Sequence, residues 1–595
     1  MTMRTKLLAA LALWLGPCLP VCRGASDGVL DSPMYQDPDL PAPRVVRVVA
    51  GSKELWLKAL ARPEAEMKCR AAEAITLAHR HGMEGLETTV APLLVELDRP
   101  RQHATVTLAV AHSLIALGAR GAAPGLLRQA QAGDGDLRDL IEPALARWDY
   151  PPARAVWLAR LREPATPQRS LILAIRGLAA VGEAEAAGPL RELAVSGRAA
   201  GPVRLEAARA LGLLRAEGLE PDAERLAAAD SPAGLVARLA AAALLGRHRG
   251  EGAVRVLLRL ARDPEPAVAA PAVGRLIEID PKLVAPLLDP LLSSPDAGLR
   301  SLAVEVLRRE PTAERVGALA DRLDDPVPDV RRKARASLRE LAAGRELWER
   351  VIAEATRVLA GRSWRGLEQA AILLAQLGHK PAVGRLVELL TFDRPEVYVT
   401  AAWGLRTLAV PDTLPAVLRH VEARQKYLRA NADRPDATFV PSDHQLCQLN
   451  QLLGRAKYRQ ADAALRAFVP RMERPMGAAV CQESRAAAIW ALGLLHEGEP
   501  VAELAAALEG RLNDVSSLPR EDMRVCRMSA VTLGRMGAKR ALPSLRKFCP
   551  DQKPSLDPIA NACGWAVERI TGEAMQPPGT IRDVRDERFF LSPGG

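Results

Sequence analysis

A chain of 595 residues is too long for one compact core, so it is either several domains or an elongated array. Apolar residues make up 48% of it but aromatics only 3%, which leaves burial to Ala, Leu and Val and favours helix. The formal charge of +10 falls to +7 without the first 24 residues, and 69 Arg against 12 Lys and four Asn points to coding bias, so net charge alone is no argument for a polyanion ligand.

Residues 1–24 read as a secretory signal: Arg4 and Lys6 precede an apolar run from Leu7 to Leu15, then come Gly16, Pro17 and a small-residue junction at Gly24. That run is too short to span a bilayer, and no later run approaches the required length of roughly 20 apolar residues. The expected product is exported, periplasmic or extracellular, with no integral membrane segment once the signal is removed. Residues 25–51 are Pro-rich and expected to be extended up to a first helix near Lys53.

Helix breakers then recur on a clock. Pro167, Pro202, Pro232, Pro264, Pro295 and Pro326 are separated by 35, 30, 32, 31 and 31 residues, a period that signals a stacked array. Each unit reads as an apolar helix, an Asp/Ser-Pro turn and a second apolar helix, as in "SSPDAGLRSLAVEVLRR", where Asp296 suits a cap and Pro295 suits a helix start. In "DVRRKARASLREL", Val330, Ala334, Ser337, Leu338 and Leu341 make one apolar stripe, so Arg331, Arg332, Lys333, Arg335 and Arg339 are expected mainly on a solvated face.

These units resemble HEAT repeats, especially the short HEAT-like units of the phycobilisome-lyase type. Asp329-Val330-Arg331 with Ala334 and Leu338 carries the resemblance, as do Val203-Arg204 with Ala207 and Leu211, and Leu299-Arg300 with Ala303 and Leu307. The resemblance implies an all-α fold, a right-handed α-α superhelical solenoid of helical hairpins. It also implies a structural role for Arg204, Arg300 and Arg331. It covers most of residues 52–574 as about fourteen or fifteen units, but it implies little about activity, because such repeats serve scaffolds, adaptors, lyases and hydroxylases alike.

The array is expected over 52–418, a lengthened helix or insertion over 419–446, irregular repeats over 447–574 and an extended tail over 575–595, with Phe589, Phe590 and Leu591 covering the last repeat. Residues 419–474 carry 11 Arg or Lys against 6 Asp or Glu, interleaved with aromatics. A basic insertion on a solenoid suits an acidic protein segment or a polysaccharide, and the candidate partner-binding residues are Arg424, Lys426, Tyr427, Arg429, Arg455, Lys457, Tyr458 and Arg459.

Catalytic signals are weak. Ser26 lies in a G-x-S-x-G with no strand–turn–helix context. The His496-Glu497 dyad is single, whereas the resemblance to HEAT-like hydroxylases would imply several such pairs. His79 and His81 sit at an expected helix end, with His112 a repeat later, and His444 and Cys447 lie one helical turn apart beside Asp443; neither group reaches a convincing ligand set. The tryptophans, Trp403 and Trp490 among them, read as packing residues. Cys549 and Cys563 flank one inter-helix turn and are the simplest candidate disulfide. The sequence therefore points to a non-enzymatic scaffold that binds protein through its concave face and the basic insertion, with no cofactor, metal or nucleic acid. The alternative is a HEAT-like lyase or metal-dependent enzyme.

Overall fold

The computed structural model describes residues 31–46, 51–228, 234–432, 435–472, 480–514 and 520–582. The expected signal sequence, Ser26 and the expected Phe589-Phe590-Leu591 cap lie outside the described residues. The described chain is an α-solenoid of helical hairpins, and it divides into two units: residues 41–379 with 542–595, and residues 1–40 with 380–541.

In the larger unit the proline clock marks helix starts. Helices begin at Gln168, Gly201, Leu235, Pro266, Ala297 and Pro328, each within three residues of a clock proline. Helix α1, Ala297–Arg309, is capped by Asp296, whose carboxylate accepts the Leu299 N–H at 2.9 Å. Helix α2, Pro328–Ala343, starts on a proline that loses no needed donor.

The repeat arginines are structural. Arg300 grips Asp325 with Nε and Nη2 at 2.7 and 2.9 Å and donates to the Ser294 and Pro295 carbonyls. Arg331 donates to the Asp325 carbonyl at 2.8 Å, and Arg204 to the Ala194 carbonyl at 2.9 Å. Each ties its helix to the turn before it or after it. This corrects the expected solvated strip on α2: Arg331 and Arg335 are buried, and Arg335 donates to Gln369 at 2.7 Å, whereas Arg332 and Arg339 face solvent. The guanidinium reaches past the apolar stripe to a polar turn, which helical periodicity alone does not reveal.

Two extended segments of this unit pair. Strand β1, Arg44–Val46, lies parallel to β2, Thr580–Arg582, with Val45 opposite Ile581. The candidate Cys549–Cys563 disulfide is not formed in this structure. The reason is rotational. A Cβ on Gly564, the next residue around the Pro558–Thr571 helix, would lie 3.0 Å from the Cys549 sulfur, which therefore faces Gly564 and the Lys553 carbonyl.

The smaller unit carries a row of second helices: α3, Pro395–Leu408; α5, Phe439–Arg455; α6, Gln482–Leu495; and α7, Met523–Met536. Between α3 and α5 runs α4, Leu414–Ala430. The expected insertion is thus absorbed by two 17-residue helices, α4 and α5. Glycine brings the row together: a Cβ on Gly454 would meet the Ala491 Cβ at 2.6 Å, and one on Gly493 would meet Thr532 Oγ1 at 2.7 Å. No helix among the described residues is long and apolar enough to cross a membrane.

Candidate functional site

Residues 31–40 of the smaller unit lie along the face of this helix row. The segment holds a 3₁₀ turn at Pro33–Gln36, closed by the Asp37 N–H on the Met34 carbonyl at 3.2 Å. Every second helix of the row contributes to holding it.

Helix α3 supplies Trp403 and Arg406, three residues apart and so on one helical face. Trp403 Nε1 donates to the Asp31 carboxylate at 3.0 Å, and Arg406 donates to the same oxygen. Helix α5 supplies Gln448 and Gln451, again three residues apart. Gln448 donates to the Asp31 carbonyl at 3.1 Å, while Gln451 Oε1 accepts the Met34 N–H at 3.3 Å. Helix α6 supplies Trp490, whose N–H reaches the Asp37 carboxylate at 3.0 Å and its carbonyl at 3.2 Å. From α7, Arg527 donates to the Tyr35 carbonyl at 2.9 Å, and Arg535 pairs with the Asp37 carboxylate at 2.6 Å while lying over the Trp490 ring.

Met34 is fully buried at the centre, and the Tyr35 hydroxyl donates to Glu483 at 2.6 Å. Burial, reinforced by the Glu483 charge, pushes the Tyr35 phenol far above its ordinary value. The same two causes push the Cys447 thiol, which lies 3.7 Å from Ser32 Oγ, up to about 12. Burial lowers the Arg406 and Arg527 guanidiniums, so the face disfavours its own positive charge unless an anion is near.

Ordering ten backbone residues costs roughly 10–20 kcal/mol. Bonds involving a charged group, at ~1.5–3 kcal/mol each, and burial of Met34, at ~1.5–3 kcal/mol, return a similar sum.

The eight candidate partner-binding residues fall into two groups. Arg424, Lys426, Tyr427 and Arg429 lie near the end of α4, whereas Arg455, Lys457, Tyr458 and Arg459 lie at the end of α5; the 17 residues of α5 put about 25 Å of helix between the two groups. Most are also engaged within the unit. Arg424 stacks on Tyr398 and Tyr427, the Tyr427 hydroxyl donates to Asp436 at 2.7 Å, and Arg429 donates to the Ala467 carbonyl. Lys457 pairs with Glu497 at 3.2 Å, Arg459 takes Glu499 with both arms, and Tyr458 donates to Gln460. Lys426 and Arg455 are exposed, and Arg455 is near enough for its charge to act on Arg406.

The other sequence candidates also find structural uses. Asp443 caps α6 by accepting the Glu483 and Ser484 N–H groups at 3.2 and 2.8 Å, and Cys447 faces Ser32 rather than His444. His496 bonds Asp462 at 2.6 Å, and Arg80 lies 3.2 Å from His112. Among the described residues no three His, Cys, Asp or Glu side chains are placed to hold a metal ion. Trp403 and Trp490, read from sequence as packing residues, are buried as expected and in addition donate their indole N–H groups to the N-terminal segment. The available signal was their recurrence on second helices of the same stretch of chain, opposite an N-terminal segment rich in Asp and Pro.

Residues 254–339 match the family model of HEAT repeats, and the helical hairpins on either side of them continue the same architecture. No curated protein sequence matches the chain. Among solved structures it is similar to Kap95p, in a structure showing that Kap95p binding induces the switch loops of RanGDP to adopt the GTP-bound conformation, at 15% identity and a TM-score of 0.49 over 88% of this chain and 72% of that one. It is similar to importin beta crystallised in ammonium sulfate, at 15% identity and 0.46 over 87% and 72%. A third likeness is to Kap121p bound to Pho4p, at 12% identity and 0.47 over 87% and 56%. These are likenesses of fold.

Proposed function

We propose that the protein is an exported, non-enzymatic scaffold that binds extended protein segments along the face of α3, α5, α6 and α7. The observation that carries this reading is the way residues 31–40 are held. Four of the row's contacts go to backbone groups, namely the Asp31, Tyr35 and Asp37 carbonyls and the Met34 N–H. Backbone groups are common to any extended peptide, and side chains such as Gln448 and Gln451 that satisfy them make a peptide-reading surface. Export rests on the signal-like pattern of residues 1–24.

The test is site-specific photo-crosslinking of the mature chain, residues 25–595, in envelope extract of the native host. A benzoylphenylalanine is placed at Arg455 or at Met523, both exposed on the row, and as a control at exposed Trp348 in the larger unit. A discrete protein adduct from 455 and 523 but not from 348, kept at about 300 mM salt where surface charge is screened, is the expected result. Adducts from 348 alone, or from none of the three, overturn the reading.

A further inference from the structure

We propose that residues 31–40 are a displaceable occupant of the helix-row face, and that the partner they stand in for is an acidic peptide segment with two carboxylates six residues apart, flanking an apolar residue and a tyrosine. This rests on the scaffold reading above and adds to it both the partner's chemistry and an internal competitor.

The asymmetry of burial across the contact is the first argument. The Arg406 and Arg535 side chains are 4% and 7% exposed, whereas Asp31 and Asp37, which pair with them, are 58% and 43% exposed. The cations belong to the body of the unit and the anions lie on its surface, so the anions are the half that can leave. Departure of the segment strips Arg406, Arg527 and Arg535 of their bonds to it, with Arg455 still acting on Arg406. Guanidiniums held in place by the body of the unit and stripped of their carboxylates favour a ligand that returns carboxylates to the same two points.

The second argument is unused donor capacity. Arg406 Nε and Arg535 Nη1 are buried and find no hydrogen-bond partner among the described residues. Asp31 and Asp37 thus leave part of each guanidinium unread, and a segment reaching either cation with both carboxylate oxygens binds that site better. The third argument is pattern: each carboxylate meets one indole N–H and one guanidinium, Trp403 with Arg406 and Trp490 with Arg535. The repeated pair fixes the spacing of the two acids, and the Met34 socket and Glu483 read what lies between them.

Ser32 offers a lock. Its Oγ lies 3.7 Å from the Cys447 sulfur, so Ser32→Cys in a Cys69→Ser background places two thiols where oxidation ties the segment down and reduction frees it. The probe is a fluorescein-labelled peptide of residues 31–40, DSPMYQDPDL, added to the full mature chain and followed by anisotropy. The reduced chain is expected to bind the probe at least about tenfold more tightly than the oxidised chain. A probe with both Asp31 and Asp37 changed to Asn should lose about tenfold on the reduced chain. Equal binding to the two forms overturns the proposal. So does absence of binding to the reduced chain while Cys447 reacts with a maleimide, since the face is then open but does not read this chemistry.

Where the substituted chain does not fold or lock, hydrogen exchange on the unsubstituted chain decides. Excess unlabelled peptide should speed exchange of the Met34 N–H, and an unchanged rate overturns displacement. Photo-crosslinks from 455 and 523 that persist equally in locked and reduced chains leave the scaffold reading standing and remove the internal competitor.

Discussion

Arg485 and Glu521 meet through two parallel hydrogen bonds of 2.8 Å, with neither side chain exposed to solvent. Arg485 also donates to the Phe468 and Val469 carbonyls, so one guanidinium joins α6 to the preceding turn and the following repeat. Burial alone would raise the Glu521 carboxyl, but the Arg485 bonds and charge outweigh it and hold it below its ordinary value. Glu521→Ala leaves a buried cation unpaired and should cost about 3–5 kcal/mol. The double change Arg485→Met with Glu521→Leu should recover most of that loss. Urea unfolding of the parent chain and the two variants checks both statements, and a double variant as unstable as the single one contradicts the account.

Two helical glycines should respond to alanine with opposite signs. At Gly274 an added Cβ meets nothing within 4 Å, so only helix propensity acts and Gly274→Ala should stabilise by about 1 kcal/mol. At Gly454 the same Cβ lies 2.7 Å from the Ala491 Cα, and overpacking of about 1–3 kcal/mol exceeds the propensity gain. Gly454→Ala should therefore destabilise. Denaturation midpoints that shift the same way for both would show that the row is not held at van der Waals limit.

The repeat was legible because its signal is local: a proline and a small or acidic residue at each helix start, with an apolar stripe between. Arg204, Arg300 and Arg331 were legible because each recurs at one position of the repeat and bonds a carbonyl only five to ten residues before it. The occupied face was not. Asp31 meets Trp403 and Arg406, and Tyr35 meets Arg527, across hundreds of residues, and no periodicity links an N-terminal segment to a distant helix row. Local charge in residues 419–474 drew attention to the smaller unit, but to side chains that Asp436, Glu497 and Glu499 largely engage.

Acid should loosen the arginine-tied turns in a defined window. Burial would raise Glu305, but hydrogen bonds from Arg308 and Arg309 prevail and hold it down at about 2. Asp325, bonded by Arg300, is likewise held below its ordinary value against burial. A carboxyl depressed on folding contributes stability that is complete above its unfolded value and lost as pH falls through its folded value. Stability should therefore hold above pH 4.5, the ordinary glutamate value, and decline progressively toward about 2. Glu305→Gln should flatten that decline. Denaturation midpoints measured across this range decide the matter, and a slope unchanged by the substitution counts against the assignment.

Among the basic residues first singled out from sequence, Arg455 and Lys426 should separate. Both are exposed, but only Arg455 acts on Arg406, and so only Arg455 adds to the potential at the Asp31 position. Arg455→Glu should weaken binding of the acidic peptide several-fold at low salt and little at high salt, because exposed charge is screened over about 8 Å at physiological ionic strength. Lys426→Glu should leave it unchanged, since α5 puts about 25 Å of helix between the two ends of the hairpin. Arg424→Ala should cost about 0.5–1 kcal/mol of stability through lost stacking on Tyr398 and Tyr427, without altering the peptide's affinity. Titrations of the reduced, unlocked chain at two salt concentrations test all three. Equal losses at Arg455 and Lys426 would mean that the peptide senses the unit's net charge and not the row of indole and guanidinium donors.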